Sequence, residues 1–136
     1  MTNSELRAGD HNARYLYETA LGALPTGVIH LSADGAFLGA TSAMERMLGH
    51  PPGWEPPEGG LLELVHPDDQ EVGVVALARL AGDPALEPWD STTDSADLRV
   101  RNADSDYRWL EARGTDLRQD PQVTGYLVSF TDVTSR

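Results

Sequence analysis

The sequence predicts an α+β domain: one antiparallel five-stranded sheet, short helices on one face, and a helix flanking the N-terminal side. Three observations carry this. Two strand-like runs stand near the start, at 26–32 and 36–40. Three more stand at the end, at about 96–103, 106–118 and 123–133. Between the two groups the apolar residues recur at helical spacing or lie in loops, so strands are segregated from helices.

Residues 1–12 are polar. In 13–24 (ARYLYETALGAL) Leu16, Ala20, Ala23 and Leu24 share a helical stripe, and Pro25 ends it by driving its predecessor out of the helical region. TGVIHLS at 26–32 is apolar on both faces of a strand, with Ile29 and Leu31 inward and Val28 and His30 outward. Ala33-Asp34-Gly35 is a turn, so AFLGA at 36–40 returns as a hairpin partner. Thr41 or Ser42 caps a helix over 42–48, with Glu45 at capping-box distance from Ser42 and Gly49 at its end. Residues 50–60 hold four Pro and three Gly and form a loop. LLELV at 61–65 is a short apolar helical turn. His66-Pro67-Asp68-Asp69 opens a longer helix to about Ala81, with Val72, Val75, Leu77 or Ala78, and Leu80 as its apolar side. Gly82 stops it, and 82–95 is an acidic loop. DLRVR then alternates, with Leu98 and Val100 on one face and Arg99 and Arg101 on the other. The expected division is a tail and flanking helix over 1–23 and one folded domain over 24–134.

Composition narrows function by exclusion. The 136 residues carry 22 acidic side chains against 10 basic ones, all Arg, for a net charge of -12. Such a surface repels phosphate backbones and anionic bilayers, so neither nucleic acid nor membrane is an expected partner. The absence of Cys excludes disulfides, thiolate metal sites and cysteinyl nucleophiles or adducts. Met1-Thr2-Asn3-Ser4-Glu5 lacks the basic and apolar regions of a signal peptide, and the expected location is the cytoplasm. The four His (His11, His30, His50 and His66) form no HExxH-type pair. With no metal set, nucleophile–base pair or glycine-rich phosphate loop, the chain is not expected to be an enzyme.

Four stretches resemble the PAS family with its PAC half. Asp34-Gly35 in the first hairpin is followed by a helix ending Met47-Leu48-Gly49. Leu64-Val65-His66-Pro67-Asp68-Asp69 is similar to the family's VHPDD run. Tyr107-Arg108-Trp109-Leu110-Glu111-Ala112-Arg113-Gly114 matches its YRWxExRG run, and Thr131-Asp132-Val133-Thr134 its terminal DIT signature. Together they span about 24–134. There are departures: Thr41 stands where the family often has Asn, Ser32 where an Asp is common, and the acidic loop is long.

The resemblance implies a sensor, with the light-oxygen-voltage type excluded. That type needs an adduct-forming Cys, absent here, and polar amides at positions that align with Val100, Leu110 and Phe130. Heme-binding relatives place an axial His on the long helix, and 67–81 holds none, so heme is not expected. No cofactor follows with certainty. What remains is an apolar interior, either a solid core or a cavity for a small apolar ligand. Its strand candidates are Ile29, Leu31, Leu98, Val100, Leu110, Ala112, Val128 and Phe130. Its helix candidates are Met44, Met47, Leu48, Leu62, Val65 and Val75. Ala112 and Gly114 are small where their neighbours are large, which leaves room, and Met adapts to irregular space. Asp132 and Thr134 are candidates for a polar relay to an exit helix.

The expected role is therefore a bacterial PAS sensor, in a two-component system or beside a cyclic-di-GMP enzyme, acting on a fused histidine kinase or cyclase. The alternative is a ligand-free interaction module. In either case a homodimer is expected through helix 13–24 and the outer sheet face, where Val28, Trp109 and Leu127 are apolar. The chain ends just after the terminal signature, which fits the sensory fragment of a longer protein.

Overall fold

β1 (Thr26–Ser32) turns Ile29 and Leu31 to one face of the sheet, where both are buried. The structure, a computed structural model, describes residues 26–58 and 60–135; the flanking helix expected over 13–24 lies outside them. Gly35, at φ +85, makes the tight turn that returns the chain as β2 (Phe37–Ala40). β3 (Ala96–Arg101), β4 (Tyr107–Leu117) and β5 (Gly125–Asp132) complete one sheet in the order β2-β1-β5-β4-β3, every neighbour antiparallel. The five strands and the segregation of helices are as the sequence predicts.

The helices cover one face. α1 (Ser42–Met47) lies directly on β1: a Cβ on Gly27 would meet the Met44 Cα at 2.7 Å. Thr41 is its N-cap. The Thr41 hydroxyl oxygen accepts from Met44 N at 3.3 Å and from Val28 N at 3.1 Å, so one side chain caps the helix and ties it to the strand. The cap sits one residue before Ser42, the start of the predicted capping box, and Glu45 falls beyond the third helical position. Its buried carboxylate accepts from Gly53 N at 2.7 Å and Trp54 N at 3.2 Å, which organises the Pro-rich loop.

The predicted helix from His66 is split. Leu61–Leu64 and Pro67–Asp69 are single 3₁₀ turns, and α2 begins at Gln70 and runs to Leu80. The His66 Nδ1 accepts from Asp68 N at 3.0 Å, a cap that holds the turn at Pro67. α2 carries the largest correction to the sequence reading. Gly73 and Leu80 are its buried residues, whereas Val75 is 38 % exposed and Val72 is exposed too. The helix is apolar on nearly every side, so periodicity could not decide which stripe faces the sheet. Packing chose the stripe with a glycine, which lets Leu62 approach to 3.0 Å from where a Cβ would stand.

The segment before α2 also covers the free edge of β3. Val65 bridges to Val100, and His66 N donates to the Arg99 carbonyl at 2.8 Å. Asp69 accepts from Arg99 N at 2.9 Å, so backbone groups that would otherwise line an open edge are satisfied.

Candidate functional site

Between the sheet and the helices lies a cavity of about 80 Å³. The sheet supplies Ile29, Leu31, Leu98, Val100, Ala112, Gly114, Val128 and Phe130 to its wall. Met44 and Leu48 close it from α1, the 61–65 segment adds Leu61, Leu62, Leu64 and Val65, and α2 adds Gly73, Ala76, Leu77 and Leu80. Ala96 and Trp89 complete it. The wall is apolar, apart from the Trp89 ring nitrogen, which donates to the Gly114 carbonyl at 2.9 Å. Such a space recognises by shape and desolvation, at about 25 cal/mol per Å² of apolar area removed from water. Engineered apolar cavities of ~150 Å³ stay dry and admit benzene or xenon, so this one suits a smaller guest.

Three candidates from the sequence do not reach the cavity. Val75 faces away from the core, Met47 is half-buried and packs against the core beside it, and Leu110 is fully buried but nearer the C-terminal end of β5, opposite Asp132. Sequence reasoning left out Gly73, Ala76 and Trp89. Gly73, Ala76 and Leu80 do form a helical stripe, but a competing stripe of valines outweighed it. Trp89 sits in an aperiodic loop, where no pattern marks an inward residue.

Thr41 makes the cap and strand bonds described above. His30 lies on the outer side of β1, where its Nε2 is 2.9 Å from the Val123 carbonyl. Val28 shares that outer side yet is buried. Among the described residues no group of three or more His, Asp or Glu is placed to hold a metal, and no helix is long and apolar enough to cross a membrane.

Polar contacts join the remaining motifs along the β3–β4–β5 end. Arg99 pairs with Asp69 and lies over the Trp109 ring at 4.9 Å. Trp109 N donates to the Thr134 hydroxyl oxygen at 3.0 Å, and Val133 N donates to the Trp109 carbonyl at 2.8 Å. Asp132 accepts from Thr134 N at 2.9 Å and from the Arg108 guanidinium at 3.0 Å. Burial pushes the Asp132 carboxyl up, but the bonds from Thr134 and Arg108 outweigh it and hold the group below its ordinary range. The backbone leaving the sheet is thus tied to β4 by both candidates, Asp132 and Thr134.

A family profile for the PAS fold matches residues 37–130. The chain is a PAS domain. Solved structures agree on the fold. A sensory box histidine kinase/response regulator from Burkholderia thailandensis is 24% identical, with a TM-score of 0.61 over 88% of this chain and 86% of that one. The N-terminal domain of a diguanylate cyclase with PAS/PAC sensor from Marinobacter aquaeolei is 23% identical, with a TM-score of 0.55 over 80% and 95%. An RNA-binding light-oxygen-voltage receptor is 21% identical, with a TM-score of 0.57 over 82% of this chain and 29% of that one. No curated protein matches. In this PAS domain Val100, Leu110 and Phe130 are all buried and apolar.

Proposed function

We propose that this PAS domain senses a small apolar molecule in the cavity and passes the event to a fused output domain, a histidine kinase or a cyclic-dinucleotide enzyme. The carrying observation is the apolar space of about 80 Å³ between sheet and helices. The sensing unit spans 24–134, flanked by 1–23, and works in the cytoplasm. Eleven of the sequence candidates are its ligand wall: Ile29, Leu31, Met44, Leu48, Leu62, Val65, Leu98, Val100, Ala112, Val128 and Phe130. Asp132 and Thr134 are the output junction, supported by their bonds to Arg108 and Trp109. The names of the Burkholderia and Marinobacter neighbours support the class of output.

The test is xenon, a probe that needs only a dry apolar void. Xenon-induced shifts of the Ala112 and Val128 methyl resonances are expected at a few atmospheres. Their absence overturns the sensing reading. No flavin is expected, and a flavin absorption band in the purified protein would refute that.

A second reading, a module that acts by dimerising, is favoured by exposed apolar groups on the other side of the sheet. Trp109 is 39% exposed and Leu38, beside the inward Phe37, is 54% exposed. The two readings are compatible.

A further inference from the structure

We infer that the 82–95 loop is a latched door on the cavity, with Trp89 as the plug that sets the size of ligand admitted and Arg79 as the latch. This rests on the sensing reading and adds the route and the size limit. Trp89 comes from the middle of that loop and lies on the cavity wall, half-buried, with its ring nitrogen on the Gly114 carbonyl at 2.9 Å. Gly114 is itself a wall residue, and a Cβ there would stand 2.7 Å from the Leu80 side chain. The wall at this point is therefore indole over bare strand backbone, with no other side chain interposed from β4.

Little else seats the loop. Of its residues only Leu86, Trp89 and Asp94 are partly buried, and the rest are exposed. Arg79 holds it from α2 on both sides of the plug. Its Nε donates to the Glu87 carbonyl at 2.9 Å, and one terminal nitrogen donates to the Pro88 carbonyl at 3.1 Å and the Asp94 carboxylate at 2.9 Å. The guanidinium also lies 5.1 Å from the Trp89 ring. The loop carries Asp83, Glu87, Asp90 and Asp94 and no basic residue, in a chain of net charge -12. Without the cation of Arg79, like charge favours lifting the loop away from the body. Segments with few buried apolar contacts are the ones that open locally, and lids of this kind move in microseconds to milliseconds. Lifting the loop withdraws the indole and exposes the wall between Leu80 and Gly114.

The experiment uses Trp89 as the only tryptophan, in a Trp54→Phe, Trp109→Phe background, with xenon and indole as probes. Arg79→Gln is expected to red-shift Trp89 emission, to raise acrylamide quenching several-fold, and to speed xenon exchange at the Ala112 and Val128 methyls. Trp89→Ala is expected to bind indole, which fits the space vacated, whereas the wild type takes xenon but not indole. Trp89→Leu, a milder truncation, should widen the cavity in the same sense if the alanine variant does not fold. Unchanged emission, quenching and xenon exchange in Arg79→Gln, with xenon still bound, would overturn the door alone. Xenon bound by no form would overturn the sensing reading, and the door as a ligand gate with it. Failure of both Trp89 variants to take indole would overturn the plug.

Discussion

Arg99 grips Asp69 at three points: its backbone N–H and Nε both donate to one carboxylate oxygen, at 2.9 and 2.8 Å, and a terminal nitrogen reaches the other at 3.1 Å. The two residues stand 30 positions apart, and their pairing seats the start of α2 on the edge of β3. Asp69→Asn should cost about 2 kcal/mol, the usual scale for losing a bond to a charged group, measured as a lower urea midpoint. The Arg99 guanidinium holds the Asp69 carboxyl below its ordinary value of 3.8. Its contribution is therefore complete above that pH and is lost as pH falls through the lower folded value. Wild type should lose stability steeply in that acid range, and the Asn variant less so.

His50 predicts a milder effect nearer neutrality. Its Nε2 is buried without a partner among the described residues, and the ring stacks on Trp54 at 4.6 Å. Burial holds its pKa below 6.5. The unfolded chain then takes up the proton first, so stability falls as pH drops below 6.5. Chemical denaturation at pH 7.5 and 5.5 should show this slope, flattened in His50→Phe.

Two small residues facing the helices should respond oppositely to enlargement. Gly27→Val collides with the Met44 backbone and should destabilise by about 1–3 kcal/mol. Ala112→Val grows into the cavity instead, and should be neutral or stabilise by about 0.5–1 kcal/mol while abolishing xenon binding. Thermal melts with and without xenon distinguish the two.

Asp132→Ala tests the junction. In a full-length protein it should leave the domain folded while uncoupling ligand from output. Losing bonds worth about 1.5–3 kcal/mol is enough to shift a two-state output tenfold or more. Output activity is read beside thermal stability. Unchanged regulation would remove Asp132 from the relay, and a large loss of stability would make it structural.

Light scattering at high concentration should find a dimer. The expected contact is helix 13–24 with the outer sheet face, and Leu16→Asp should dissociate it. A wild-type monomer would leave the exposed Trp109 and Leu38 without that explanation.

Local pattern was enough for the five strands. Alternation in DLRVR and the turn at Gly35 depend on neighbours in sequence, and the observed strands fall within two residues of those expected. The PAS motifs were legible for the same reason, as was the apolar wall contributed by the strands, because a strand's inward face follows from period two. The helices were different. α2 offers valines on one side and Gly73, Ala76 and Leu80 on another, and composition could not rank them. Only the approach of Leu62 and Leu98 to Gly73 decides which side fits. Trp89 illustrates the same limit. A loop has no period, so its inward residue is set by contacts distant in sequence: Arg79 from α2 and Gly114 from β4. The sequence by itself determined the sheet, the sign of the surface charge and the absence of thiol chemistry. The tertiary structure decided which stripe of α2 and which loop residue meet the cavity, because those choices depend on shape complementarity between segments that meet only when the chain is folded.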